Sequence, residues 1–105
     1  MRATLDRIQD DLLLDCLRKV IDPEIGVNIV DLGLVYAAFR RGNSLRIDLT
    51  LTSRACPLGE LIVAEIRQVL AERFPETTDV EVRLVWEPAW EPDFVTTRGR
   101  QMLGF

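Results

Sequence analysis

The sequence predicts an α+β fold in which two helices pack on one face of a small mixed sheet. Two observations predict it: two segments carry apolar residues at helical spacing, and two segments alternate apolar with polar residues, with a further apolar segment before them. Along the chain these segments follow the order α-β-β-α-β, and a tail rich in proline and tryptophan comes after them. The length of 105 residues is that of one domain, so we expect residues 1–105 to form a single folded unit.

The first predicted element is a helix from Leu5 to Ile21. Asp22-Pro23 ends it, because the residue before a proline is disfavoured in the helical conformation. The loop of residues 22–33 mixes glycine, proline and acidic residues with aliphatic ones, so we expect an irregular segment packed against the body. The apolar face of the helix comprises Leu12, Leu13, Cys16, Leu17 and Val20.

A β-hairpin follows this loop. The first strand is predicted from Leu34 to Arg40, and residues 41–44 contain the Gly-Asn pair common in hairpin turns. The second strand is predicted from Leu45 to Thr52, where apolar and polar residues alternate strictly, as in a sheet with one buried face. The apolar positions of this strand are Leu45, Ile47, Leu49 and Leu51.

The second helix is predicted from Pro57 to Phe74 and the third strand from Val80 to Trp86. A strand–helix–strand step is normally a right-handed crossover, so the second and third strands should be parallel. The proline-rich segment 87–93 should be extended, and a last short helix is predicted from Thr96 to Leu103. The second face of the sheet carries Thr, Asp and Arg, and is either solvated or covered by the tail or a partner.

Composition argues against several classes of protein. The net charge of −4 argues against a general nucleic-acid binder, which needs a basic face. No apolar run approaches the ~20 residues of a membrane span, and the charged first residues do not resemble a signal peptide. The predicted location is therefore the cytoplasm, where thiols stay reduced. Two cysteines and no histidine cannot form a closed zinc site, nor supply four thiolates to an iron–sulfur cluster.

One of the two cysteines, Cys56, lies between the second strand and the second helix. Proline is favoured at the first position of a helix, so Pro57 makes Cys56 the expected N-cap. Free amides and the helix dipole at that position stabilise a thiolate and lower the pKa of a thiol. The alternative is that Cys56 only fills a buried corner, because free cysteines are often buried. Cys16 lies on the apolar face of the first helix and is predicted to be a core residue.

Several polar residues allow two interpretations. Asp22 and Asp31 are suited to capping turns, which is the structural interpretation of both. Glu24 has no obvious structural task. Thr52 suits a strand, but it also comes just before the thiol turn, where its hydroxyl is placed to bind a ligand or the thiolate. Trp90, between two prolines, is interpreted as an anchor for the tail.

Four motifs together resemble a known family, the iron–sulfur cluster assembly proteins. Its members include bacterial SufT-like proteins, PaaD-like proteins of aromatic degradation, and eukaryotic cytosolic targeting factors of the MIP type. The resemblance extends over most of the chain, from about residue 22 to residue 103. The motifs are Asp22-Pro23-Glu24, the segment from Val30 to Tyr36, Thr50-Leu51-Thr52 leading to Cys56-Pro57-Leu58, and the segment from Trp86 to Trp90.

The resemblance implies a role in maturing iron–sulfur proteins by carrying, transferring or targeting a cluster. The implied partners are a cluster scaffold or client apo-proteins. It also implies that Cys56 is the reactive cysteine and a candidate cluster ligand, in a pocket lined by Asp22, Glu24, Thr52 and Ser53. One thiolate is a soft iron ligand but not a cluster site. We therefore expect the monomer to bind no cofactor stably, and any cluster to be transient and shared across a homodimer or with a partner.

Two alternatives come from other classes of protein. The first is a thiol-dependent enzyme with Cys56 as nucleophile, in which Glu24 or Asp22 must act as the base because histidine is absent. An ordinary carboxylate is a weak base at neutral pH, so a factor that is not an enzyme is the preferred interpretation. The second alternative is a protein-interaction module that uses the open sheet face or the Trp90 tail, with the thiol incidental.

Overall fold

The computed structural model describes residues 10–52 and 59–104, and it confirms the α+β fold. Cys56, Ser53 and Pro57 lie outside these ranges. In the described part of the chain the sheet has three strands, and a single 3₁₀ turn precedes the last helix. The elements are α1 (Asp11–Leu17), β1 (Val35–Arg41), β2 (Ser44–Leu49), α2 (Gly59–Arg73), β3 (Asp79–Leu84), the 3₁₀ turn (Pro92–Phe94) and α3 (Thr97–Leu103).

The first helix is shorter than the sequence predicted. It begins at Asp11, because Asp10 has an extended backbone and its carboxylate accepts hydrogen bonds from the amides of Leu12 and Leu13. The extended Asp10 therefore interrupts the predicted helix, whose predicted start at Leu5 lies outside the described residues. The predicted end at Ile21 is wrong, since the helix ends at Leu17. Beyond it the chain turns to pair with the following loop, where Ile21 forms a bridge with Asn28.

The central strand of the sheet is β2. It pairs antiparallel with β1, and it pairs in parallel with β3, as the crossover predicted. Strand β2 ends at Leu49 instead of the predicted Thr52, because Leu49 is paired with Val35 and Leu84, the end residues of its two neighbours. Gly42 in the hairpin turn has a φ of +59°, a left-handed conformation that glycine adopts without steric cost.

The hydrophobic core lies between one face of the sheet and the two helices α1 and α2. The Sγ of Cys16 in α1 lies 3.4 Å from the carbonyl oxygen of Val69 in α2, which shows how closely the two helices pack. The alternating apolar residues of β2 all point into this core, as predicted. The side chains with the least exposure include Leu13, Leu17, Ile47, Leu49, Ile62, Ile66 and Leu70.

The second face of the sheet has two parts. In the first, the carboxylate of Asp48 accepts hydrogen bonds from Arg46 and Arg83. The hydrogen bond between Arg83 and Asp48 raises the pKa of the Arg83 guanidinium. In the second, the tail after β3 crosses the sheet, and the hydroxyl of Tyr36 donates to the carbonyl of Pro88 over 2.9 Å. Solvation and cover by the tail, the two alternatives from the sequence, therefore both occur. Within the described ranges, no helix is long and apolar enough to cross a membrane.

Candidate functional site

A cavity lies where the chain leaves β2, directly before the segment that contains Cys56. Its volume is about 240 Å³. Thr50 and Thr52, directly after the end of β2, line one side of it. Of the described residues, the lining comprises Thr50, Leu51, Thr52, Trp86, Glu87, Ala89 and Trp90.

Thr50 is the most buried polar residue of this cavity, with 1% of its surface exposed. Its amide donates to the carbonyl of Leu34, but its hydroxyl has no hydrogen-bond partner among the described residues. A buried hydroxyl without a partner costs free energy, so such groups in native structures usually have a reason. Sequence reasoning placed Thr50 in a motif but did not select it as a site residue. Its two-residue spacing from Thr52 on one strand face was the available signal.

The tail forms the other wall of the cavity and is held to the body at Pro88 and at Trp90. Trp90 donates from its indole nitrogen to the carbonyl of Leu32 over 2.8 Å. Tyr36 holds Pro88, as described above, and packs edge-to-face against Phe94 with ring centroids 5.9 Å apart. The interpretation of Trp90 as an anchor of the tail agrees with this hydrogen bond.

Asp31 fastens the C-terminal helix to the loop before β1. Its carboxylate is buried and accepts hydrogen bonds from the side-chain amide of Asn28 at 2.7 Å and the hydroxyl of Thr96 at 2.9 Å. The guanidinium of Arg98 lies 3.9 Å away. Among the described residues these partners are all side chains and none is a turn amide, so Asp31 joins two segments instead of capping a local turn, and two of its three partners come from the C-terminal segment.

Two glycines allow this close contact between the loop and the C-terminal segment. A Cβ at Gly33 would collide with the backbone of Phe94, and Gly33 also has a φ of +77°. A Cβ on Gly99 in α3 would lie 2.5 Å from the carbonyl oxygen of Asp31. Any larger residue at these positions would push the C-terminal segment away from the loop.

Asp22, a predicted pocket residue, caps a turn. Its Oδ1 accepts hydrogen bonds from the amides of Glu24 at 2.9 Å and Ile25 at 3.3 Å, and its own amide donates to Val27. This arrangement matches the structural interpretation of Asp22. Glu24 is exposed at the tip of the same turn. The indole of Trp90 links the two regions, because it lines the Thr50–Thr52 cavity on one side and an apolar groove containing Ile25 on the other.

The remaining predicted residues fall into two groups. Cys16 is buried, and burial raises the pKa of its thiol, so it is a core residue as the sequence indicated. Cys56 and Ser53 lie outside the described residues, so their place in the pocket stays a prediction. Within the described ranges, no group of three or more acidic or cysteine side chains is arranged to hold a metal ion.

Comparison with known proteins identifies the family. The model of a family described as "iron-sulfur cluster assembly protein" matches residues 10–84, which include the turn of Asp22, the hairpin, Thr50 to Cys56, and β3. The chain belongs to this family. The resemblance seen in the sequence motifs is thereby confirmed.

Three relatives show how far the similarity extends. The Fe-S protein maturation auxiliary factor YitW of Bacillus subtilis is 43% identical over 93 residues, which cover 88% of this chain and 90% of that protein. The Fe-S protein maturation auxiliary factor SufT of Staphylococcus aureus is 44% identical, covering 81% of this chain and 97% of the relative. A crystal structure of a domain of unknown function from Bacillus anthracis superposes with a TM-score of 0.85 at 38% identity, covering 90% and 91% of the two chains.

Proposed function

We propose that this protein acts in the maturation of iron–sulfur proteins, and that it carries, transfers or targets a cluster through the thiol of Cys56. The observation that carries the proposal is the match of the family model to residues 10–84, together with relatives over 40% identical that are named maturation factors. The cluster is cargo for this chain, and apo-proteins or a scaffold are its partners.

The cavity beside Thr52 supports a binding role at this end of the sheet. It opens at the carboxyl end of β2, immediately before the segment of Cys56, and a strand end followed by a loop is a usual place for functional groups. Thr52 is exposed, and its hydroxyl can donate to a sulfide or thiolate or accept from a client amide. We propose that Ser53, Thr52 and Glu24 line the reactive pocket, and that Asp22 contributes by shaping the turn that presents Glu24.

The number of ligands limits how a cluster is held. Cys56 supplies one thiolate per chain, Cys16 is buried in the core, and an assembled cluster requires about four ligands. A stable cluster on one chain is therefore not expected. A second chain or a partner protein must supply the remaining ligands, which suits a factor that hands its cargo on.

The geometry of Asp22 weakens the alternative of a thiol-dependent enzyme. A base for Cys56 must have a free carboxylate oxygen within hydrogen-bond reach of the sulfur. The Oδ1 of Asp22 already accepts two backbone amides, so the turn leaves only Oδ2 for that role. The protein-interaction alternative is compatible with the proposal, because a targeting factor must also bind its client.

Anaerobic reconstitution with ferrous iron and sulfide tests the proposal. We expect iron and sulfide to be bound only in a species larger than the monomer, measured by iron counting, visible absorbance and sizing chromatography. Cys56→Ser should abolish this binding, and Cys16→Ala is the matched control that should retain it. Stoichiometric iron on a monomer, or full iron binding by Cys56→Ser, would contradict the proposal.

A second arm separates a carrier from a targeting factor. If no iron binds under any condition but the chain binds a cluster scaffold or client tightly, the function is targeting and not carriage. Thr52→Val and Ser53→Ala should weaken cluster transfer to a client apo-protein without unfolding the domain. Thr78→Val, at the other end of the sheet, is the matched control. Thiol-dependent turnover of a small substrate without iron or client binding would favour the enzyme instead.

A further inference from the structure

The two edges of the sheet differ in how they are protected. The edge formed by β1 is interrupted by a bulge between Val35 and Ala37, and the amide of Asp10 donates to the carbonyl of Ala38 over 2.7 Å. Bulges and covering segments are the usual means by which proteins prevent an edge strand from pairing with another chain. Strand β3 pairs with β2 in an unbroken register and contains no proline or glycine. In the described sheet, the β1 edge is therefore protected against pairing with a further strand, whereas the β3 edge is unbroken.

The outward backbone groups of β3 can be assigned from the hydrogen bonds of the parallel pair. The amide of Val85 donates to the carbonyl of Leu49 in β2. In a strand, alternate residues direct their amide and carbonyl to opposite sides, so Val80, Val82 and Leu84 direct theirs away from β2. In the described ranges, the sheet order places no strand beyond this edge, and Arg67 donates to the carbonyl of Val80.

The side chains of β3 form two distinct rows. Val80, Val82 and Leu84 point to the core side but are incompletely covered, and Leu84 is 42% exposed. Glu81 and Arg83 are exposed on the opposite face. The strand thus offers an apolar row on one face and a charged row with both signs on the other.

We propose that β3 pairs antiparallel with β3 of a second copy of this chain, with Val82 opposite Val82. This register places Val80 opposite Leu84 and Glu81 opposite Arg83, each twice by symmetry. The outward amides and carbonyls of Val80, Val82 and Leu84 then face one another, as hydrogen-bonded pairs of an antiparallel ladder require. The charge pattern selects the second copy as the occupant, because the strand is complementary to itself.

The neighbouring registers are unfavourable for the same reason. Shifting the pairing by one step in either direction, while the outward groups still face each other, places Glu81 opposite Glu81 or Arg83 opposite Arg83. Like charges directly opposite in a sheet are destabilising. The existing contacts do not block the pairing. The carbonyl of Val80 has a second lone pair in addition to the one that accepts from Arg67. Arg83 likewise has further N–H groups in addition to those that donate to Asp48.

The interface makes a prediction about the orientation of the two sites. In an antiparallel pair, Leu84 of one copy lies beside Val80 of the other, so the sheet ends that carry Thr52 point in opposite directions. This dimer therefore does not unite two Cys56 segments on one cluster. The proposal is independent of the proposed function, and either can fail without the other.

Analytical ultracentrifugation of charge-swapped variants tests the pairing. We expect a concentration-dependent dimer for the wild type, and association at least tenfold weaker for Glu81→Arg and for Arg83→Glu, since each places like charges opposite one another. Mixing these two variants should restore association in a heterodimer, and the double variant should recover it alone. Circular dichroism on each variant confirms that the fold is retained.

Val82→Pro provides a second test of the same edge. It removes an amide that points away from β2, so the ladder within one chain is kept while the new one is interrupted. It should abolish the dimer. A monomer at all concentrations for the wild type would overturn the proposal, as would a dimer indifferent to the charge swaps. If the charge-swapped variants bind only to a different protein and never to another copy of this chain, self-pairing is refuted and the edge is assigned to that partner.

Discussion

Thr96 joins the C-terminal helix to the loop before β1, and we expect Thr96→Val to destabilise the protein substantially. Its hydroxyl makes two hydrogen bonds of 2.9 Å: it accepts from the amide of Gly99 as the N-cap of α3, and it donates to the carboxylate of Asp31. Valine has nearly the same shape as threonine but no hydroxyl. The substitution therefore removes both bonds with little change in packing.

The size of the effect follows from the two bonds. Losing a threonine N-cap costs about 1 kcal/mol, and losing a hydrogen bond to a charged group costs about 1.5–3 kcal/mol. Asp31 is 2% exposed, so water cannot easily replace the lost donor. We expect Thr96→Val to lower the free energy of unfolding by about 2–4 kcal/mol. Thr96→Ser keeps the hydroxyl and should cost less than about 1 kcal/mol, while Thr97→Val is the neighbouring control.

Urea unfolding followed by two signals measures this change. Both tryptophans, Trp86 and Trp90, lie in the tail, so their fluorescence reports on the C-terminal segment, and far-UV circular dichroism reports on the helices. The unfolding midpoint should fall by about 1 M urea or more. If the segment detaches locally, only the fluorescence transition moves. A change below about 0.5 kcal/mol in both signals, the usual range of a surface substitution, would refute the reasoning.

Three further predictions concern other parts of the fold. Gly99→Ala should destabilise by about 1–3 kcal/mol in the same urea assay, because its Cβ would lie 2.5 Å from a backbone carbonyl, although alanine favours helices. Partial burial raises the pKa of Asp10, but hydrogen bonds to backbone amides and a guanidinium outweigh it and hold that pKa below 3.8. Asp10→Asn should therefore lose less than about 1 kcal/mol at pH 7, a difference that should shrink as the pH falls below about 4. Burial raises the pKa of the Cys16 thiol, so iodoacetamide should label Cys56 first, as peptide mass mapping will show.

The elements of the fold were largely predictable because they depend on patterns within a few residues. The alternation of Leu45, Ile47 and Leu49 placed one face of β2 in the core, and the crossover predicted its parallel pairing with β3. Burial of Cys16 followed from the apolar face of its helix. These features depend on spacing along one strand or helix, which the order of residues contains directly.

The ends of the first helix were not predictable from the same patterns. The sequence from Leu5 onward is compatible with a helix, and nothing local selects Asp10 as the cap. In the structure, the amide of Asp10 donates to the carbonyl of Ala38 and its carboxylate accepts from Arg40. These partners in β1, which are about 30 residues away in the chain, hold Asp10 in an extended conformation.

The candidate site, too, was predictable only in part from the sequence. Its motifs, and the family to which they point, could be recognised from the residues alone, and so could the suitability of Asp22 for a turn. The sequence alone did not show that Asp31 reaches Thr96, 65 residues away, or that the tail closes a cavity over Thr50 and Thr52. Turn and helix signals reflect bonds between near neighbours, whereas these contacts exist only once the sheet and the C-terminal segment have packed together.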